Sequence, residues 1–95
     1  MSKVVIYTSS SCPYCLRAKA LLQRKNAQFE EINIENDQQL REKMIQQAGG
    51  RKTVPQIFIN DIHVGGSDDL YALEQEGQLQ KLLDNNFEIL EKILS

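Results

Sequence analysis

Val4-Val5-Ile6-Tyr7-Thr8-Ser9-Ser10-Ser11-Cys12-Pro13-Tyr14-Cys15 is the stretch on which the reading of this chain turns. Lys3 to Tyr7 is short, apolar and rich in β-branched residues, then breaks into hydroxyl side chains. That is the pattern of a buried strand. Ser9, Ser10 and Ser11 are candidate helix N-caps, and Pro13 suits a first helical turn, where its missing N–H costs nothing. From Pro13 to about Lys25, residues Cys15, Ala18, Leu21 and Leu22 gather on one helical face. Arg24 and Lys25 stand where the helix dipole favours cations. The stretch therefore runs strand, loop, helix, with two cysteines at the loop–helix junction.

Outward from there the same two periodicities continue. Phe29 to Ile34 reads as a second strand, although the alternation slips between Phe29 and Ile32. Asn36 and Asp37 look like caps for a second helix carrying Leu40, Met44, Ile45 and Ala48, which Gly49-Gly50 ends. Val54 to Ile59 and Ile62 to Val64 flank Asn60-Asp61 as a β-hairpin. Gly65-Gly66 breaks it, and Ser67 or Asp68 caps a helix bearing Leu70 and Leu73, stopped by Gly77. The order strand, helix, strand, helix, hairpin, helix predicts a small α/β domain. Its first two strands should be parallel, with a right-handed crossover, in a mixed sheet covered by helices. Beyond it, Leu79, Leu82, Leu83, Phe87, Leu90, Ile93 and Leu94 share a helical face interrupted at Asn85-Asn86. That segment is expected either to pack on the domain or to present a docking face.

The bulk properties narrow the field. The chain has 95 residues, 41% hydrophobic and 25% charged, with a net charge of −2. These values predict one small globular domain over residues 1–95, and the sequence shows no linker, repeat or low-complexity segment. A positive field for nucleic acid or an anionic membrane surface is absent, and no apolar run approaches the length of a membrane span. The first apolar run is too short for a signal peptide, so the expectation is an unexported, cytoplasmic protein.

Cys12 and Cys15 are the only cysteines. Two cysteines placed at random in such a chain fall three apart only about 2% of the time. A structural zinc site needs about four N or S ligands, and two cysteines with the single histidine, His63, cannot complete one. A structural staple closing so short a loop constrains the unfolded chain little, and a reducing compartment works against it. The third reading is a redox dithiol, which a strand-to-helix junction favours. There, Cys12 meets unpaired backbone N–H groups and the positive end of a dipole. Both favour a thiolate over the free thiol, whose pKa is about 8.5. Cys15, one turn further in on the apolar side, is expected to remain a thiol until it resolves a mixed disulfide formed by Cys12. His63 falls on the hairpin's returning strand with no nucleophile signature beside it and reads as an ordinary strand residue.

Three motifs together carry a resemblance. Cys12-Pro13-Tyr14-Cys15 after a short first strand, Thr53-Val54-Pro55 before a hairpin and Gly65-Gly66-Ser67-Asp68-Asp69 opening a helix resemble the dithiol glutaredoxins. The resemblance runs from about Lys3 to Leu83. It implies a thioredoxin-like three-layer fold, with a four-stranded mixed sheet flanked by helices; about residues 84–95 fall outside the resemblance and are expected to form an extra C-terminal helical extension. It implies glutathione-dependent reduction of protein disulfides and of protein–glutathione mixed disulfides, with no metal. Partners implied are glutathione, glutathionylated or disulfide-bearing proteins such as ribonucleotide reductase, and, indirectly, glutathione reductase and NADPH. The protein is expected to be a monomer.

The resemblance also implies roles for site residues. Pro55 matches a cis-proline. Val54 offers its backbone to the cysteine part of glutathione as an added strand would, with Thr53 beside it. Ser67 and Asp68, with Gly66 before them in the same site, present helix N-terminal amides to the γ-glutamyl carboxylate: the N–H groups of Ser67 and Asp68 bind it, and Asp68 or Asp69 pairs with its ammonium. Tyr14 flanks the sulfur. Many glutaredoxins place a lysine where this chain has Ser9, so another cation must meet the glycyl carboxylate. Arg41 is favoured, since a guanidinium can grip a carboxylate bidentately, over Arg51 or Lys52. Two alternatives stay open: a glutaredoxin-like thioredoxin fed by thioredoxin reductase, and an iron–sulfur carrier ligated by Cys12 and glutathione across a dimer.

Overall fold

The structure is a computed structural model and describes residues 3–84. The strand expected at Lys3–Tyr7 forms as β1 (Val4–Thr8), followed by α1 (Pro13–Arg24), β2 (Phe29–Asn33) and α2 (Gln38–Gln47). The hairpin is β3 (Gln56–Ile59) and β4 (Ile62–Gly65), and α3 (Ser67–Gln75) and α4 (Leu79–Leu83) follow. The sheet order is β2-β1-β3-β4. β1 and β2 are parallel, Val4 beside Phe29, while β3 runs antiparallel to both β1 and β4. The mixed four-stranded sheet is thus the one the element order implied.

Alternation along the strands divides the core in two. Val4 and Ile6 of β1 and Ile57 and Ile59 of β3 face one side, where they meet Ala18, Leu21 and Leu22 of α1, Leu70 of α3 and Leu79 of α4. Tyr7 and Phe58 face the other side, against Met44 of α2 and Ala48, with Tyr7 and Phe58 edge to face at 5.8 Å. Three layers result, and α2 alone covers the second face. The slip in β2 has a cause: it is an outer strand, so Glu30 and Glu31 can both remain exposed, one towards each face.

Several boundaries differ from the sequence reading. The strand expected from Val54 starts at Gln56, because Val54–Pro55 is a cis peptide that turns the chain before the ladder begins. Asn60 and Asp61 both adopt positive φ (52° and 66°), as a two-residue hairpin turn demands. Asp37 caps α2, its carboxylate accepting from the Leu40 N–H at 3.0 Å. The cap of α3 is Gly66, not Ser67 or Asp68. Asp69 reaches back to accept from the Gly66 N–H at 2.9 Å, which draws Ser67 inside the helix. Among the described residues no helix is long and apolar enough to cross a membrane. The proposed extension over residues 84–95 lies, past Asp84, outside the described residues, as do Phe87, Leu90, Ile93 and Leu94.

Candidate active site

Cys12 and Cys15 form a disulfide at the start of α1. None of the three serines caps this helix. Cys12 is itself the N-cap, its sulfur 3.1 Å from the Cys15 N–H. Ser11 precedes it with φ of 59°, which swings the chain so that the sulfur, not a serine hydroxyl, lies over the helix end. Cys15 is buried and Cys12 half-buried. The expected asymmetry is therefore present: one sulfur within reach of solvent, the other within the core. Tyr14 stands exposed beside the pair.

The segment 53–55 comes up against this sulfur. The Val54 carbonyl oxygen is 3.9 Å from Cys12 Sγ. Among the described residues, neither the N–H nor the C=O of Val54 has a backbone partner. Pro55 in turn abuts the start of α3, for a Cβ added at Gly66 would lie 3.5 Å from the Pro55 carbonyl oxygen. Three elements separated in sequence, the starts of α1 and α3 and the cis-proline segment, thus meet at one place.

At the start of α3 the first intrahelical bond runs from Leu70 N–H to the Gly66 carbonyl at 3.0 Å, leaving the Ser67 and Asp68 N–H groups without a partner among the described residues. Ser67 Oγ is buried with no hydrogen-bond partner among the described residues. Such an atom carries a desolvation cost until something meets it. The two candidate carboxylates separate clearly. Asp69 is committed: it caps Gly66 and forms an ion pair with Arg51 at 3.1 Å. The Gly66 N–H, and then Arg51, hold its carboxyl below the ordinary value of 3.8. Asp68 is exposed, with no ion pair or hydrogen bond among the described residues.

The same pairing removes Arg51 as a free cation. Lys52 is exposed. Arg41 is exposed on α2, beside a shallow depression shared with Ile34 and Asp37. No hydrogen bond or ion pair among the described residues ties it to the sulfur site. His63 is on β4 as expected, and its Nε2 is 2.7 Å from Gln56 Oε1. Burial, then the Arg51 charge, lowers its pKa and favours the neutral ring.

Two features escaped the sequence reading. Cap statistics for serine concealed a cysteine cap. Gln56 reads from sequence as part of an apolar strand, yet it is fully buried directly behind Pro55. A polar residue in an otherwise apolar strand was the available signal.

Known proteins are similar to this chain in sequence and fold. The family profile described as Glutaredoxin matches residues 4–64. Glutaredoxin 1 of Rickettsia conorii is 57% identical over 83 residues, 86% of this chain and 81% of that protein. Glutaredoxin 3 of Escherichia coli is 54% identical over 83 residues, 87% of this chain and 99% of that protein. Among solved structures, the solution structure of glutaredoxin from Brucella melitensis has a TM-score of 0.76 at 58% identity, covering 85% of this chain and 87% of that one. The crystal structure of a buckwheat glutaredoxin–glutathione complex has a TM-score of 0.81 at 26% identity, covering 88% of this chain and 78% of that one.

Proposed function

The chain belongs to the glutaredoxin family, thiol–disulfide oxidoreductases on a thioredoxin-like fold, and from that premise we propose that it reduces protein disulfides and protein–glutathione mixed disulfides at the expense of glutathione. The observation that carries the reading is the backbone of Val54, which has no backbone partner among the described residues and whose carbonyl stands 3.9 Å from the Cys12 sulfur. A disulfide presented to Cys12 lies beside that N–H and C=O, which the cysteine residue of glutathione can pair with as a short added strand. From there the γ-glutamyl end reaches the start of α3. Its carboxylate would take the Ser67 and Asp68 N–H groups and the unpartnered Ser67 hydroxyl, and its ammonium would take Asp68, because Asp69 is already engaged. Arg41 remains our candidate for the glycyl carboxylate, and Tyr14 for the flank of the sulfur. The buckwheat complex supports a glutathione site in this family.

The chemistry follows from the two cysteines. Cys12 as a thiolate, favoured by the Cys15 N–H that points at it, attacks the glutathione sulfur of a protein–glutathione disulfide. A Cys12–glutathione disulfide forms, and the protein thiolate leaves and takes a proton. A second glutathione thiolate then attacks the glutathione sulfur of that intermediate. Glutathione disulfide forms and the Cys12 thiolate returns. With a protein disulfide, Cys12 forms a mixed disulfide to one target sulfur and releases the other. Cys15, deprotonated, attacks the Cys12 sulfur and releases the second target thiolate, leaving the Cys12–Cys15 disulfide. Two glutathione molecules reduce that bridge, and glutathione reductase with NADPH regenerates them. We place this cycle in the cytoplasm, acting on proteins such as ribonucleotide reductase.

A coupled assay with NADPH, glutathione reductase and a glutathionylated peptide tests the reading. The expected result is turnover by the wild type, none by Cys12→Ser, and retained deglutathionylation by Cys15→Ser with loss of protein-disulfide reduction. Equal loss in both variants would falsify the division of roles, and turnover with thioredoxin reductase alone would replace glutathione as the donor.

A further inference from the structure

We propose that Gln56, oriented by His63, is a positioning residue that sets the direction of the Val54 N–H for pairing with substrate. The inference rests on the reading of Val54 given above. Gln56 is fully buried on the face of the sheet covered by α2, paired in register with Tyr7. A primary amide cannot be held there without partners, and this one has three. Its Nε2 donates to the Thr53 carbonyl at 3.0 Å and lies 3.3 Å from Thr53 Oγ1. Its Oε1 is 2.7 Å from His63 Nε2.

The direction of every one of these bonds is forced. A backbone carbonyl only accepts, so the amide nitrogen of Gln56 must face Thr53. Its oxygen must then face His63, and that oxygen only accepts, so His63 Nε2 must carry a proton. His63 is held in that pose by its tilted stacking on Phe58, ring centroids 5.0 Å apart. The donor chain therefore runs His63 to Gln56 to Thr53 and ends on the Thr53 oxygen.

That oxygen belongs to the peptide unit whose N–H is Val54's. The unit is planar and trans, with C=O and N–H pointing in opposite directions. Holding the Thr53 oxygen on one side therefore aims the Val54 N–H to the other. No hydrogen bond joins Gln56 or His63 to Cys12, whose partners among the described residues are Val54 and Cys15, so the effect is expected on substrate placement and not on the sulfur.

Gln56→Met keeps the volume and removes both polar groups, and His63→Phe keeps a ring on Phe58 without the donor. Each is assayed with a glutathionylated peptide and glutathione, alongside alkylation of reduced Cys12 by iodoacetamide and the Val54 amide resonance in a substrate-free ¹⁵N spectrum. In Gln56→Met the KM for the peptide is expected to rise about fivefold, the loss that one net hydrogen bond represents. The kcat and the alkylation rate should hold, and the Val54 resonance should move. His63→Phe shows the same pattern more weakly, and His63→Gln, which restores a donor, returns KM towards the wild-type value. An unmoved Val54 resonance in both His63→Phe and Gln56→Met overturns the inference, as does a KM rise matched by slower alkylation. If Gln56→Met fails to fold, His63→Phe with His63→Gln rescue decides on its own. Absence of turnover of the glutathionylated peptide by the wild type would count against the glutathione reading itself, and the Val54 resonance would still judge the tether.

Discussion

The sulfur of Cys12 has two parts in this molecule: it is the cap of α1 and, in the proposed cycle, the atom that reacts. A serine hydroxyl is a good substitute for the second duty and useless for the first. Cys12→Ser therefore separates chemistry from helix stability, and its loss of turnover reports the sulfur alone. The sequence placed Cys12 at a helix start and Cys15 in the core, because proline and apolar spacing are local signals. It did not show which atom capped the helix, because the answer lay in the positive φ of Ser11. Glu31 is a second residue whose part is set by long-range partners. It accepts from the Thr8 hydroxyl at 2.7 Å and pairs with Lys19 at 3.0 Å, joining the end of β1 and the first turns of α1 to β2. Those two contacts, Thr8 first, lower its carboxyl below the ordinary 4.5. A carboxyl lowered in the folded state contributes stability that is full above the unfolded value and is lost as pH falls through the folded one. Glu31→Gln is expected to melt below the wild type at pH 7, with the two curves converging as the pH falls below the ordinary glutamate value of 4.5 and through the lowered one. Circular dichroism melts across that range check this, and a constant gap at every pH would contradict it.

At the scale of elements, the junction of β4 and α3 is the most demanding. Gly65 sits at φ of +119°, where an L side chain is strained, and a Cβ there would collide with the Asp69 carboxylate and lie 2.8 Å from Arg51 Nη1. The Arg51–Asp69 pair is half exposed on both sides, so its direct contribution is only about 0–1 kcal/mol. Its weight is geometric, since it ties the segment before Thr53 to the cap of α3. Gly65→Ala is expected to cost about 1–3 kcal/mol, read by urea denaturation, and to raise the KM for glutathione. A stable variant with unchanged KM would show that the junction is not what places the α3 amides. Sequence signals located this junction well, because Gly65-Gly66 followed by acidic residues is unambiguous punctuation. They did not say which aspartate caps and which is free. That choice depends on Arg51, which lies 18 residues away.

For the whole molecule, the element order and the parallel β1–β2 pair followed from hydrophobic period and connection rules, which are properties of contiguous segments. The polar links His63–Gln56–Thr53 and Thr8–Glu31–Lys19 were not legible, because each joins residues from different elements. The layers also carry unequal loads. One face of the sheet is covered by α1, α3 and α4, while the other relies on α2, whose one fully buried side chain is Met44. Met44→Ala is expected to cost about 2–4 kcal/mol, a large part of the margin of a domain this small. A urea midpoint unchanged from wild type would show that α2 is held by its rim, for instance by the Tyr7 hydroxyl donating to Gln47 at 3.0 Å.

The position of β2 at the outside of the sheet bears on what happens when many copies of the chain are crowded together. A bare outer strand is a template for edge-to-edge aggregation. Here Glu30 and Glu31 put a carboxylate on each side of that strand; Glu31 is paired with Lys19, so in a second copy laid along the strand in register it is chiefly the Glu30 charges that would oppose one another. Of the two residues that blurred the periodicity of β2, Glu30 is thus the one that chiefly guards its edge.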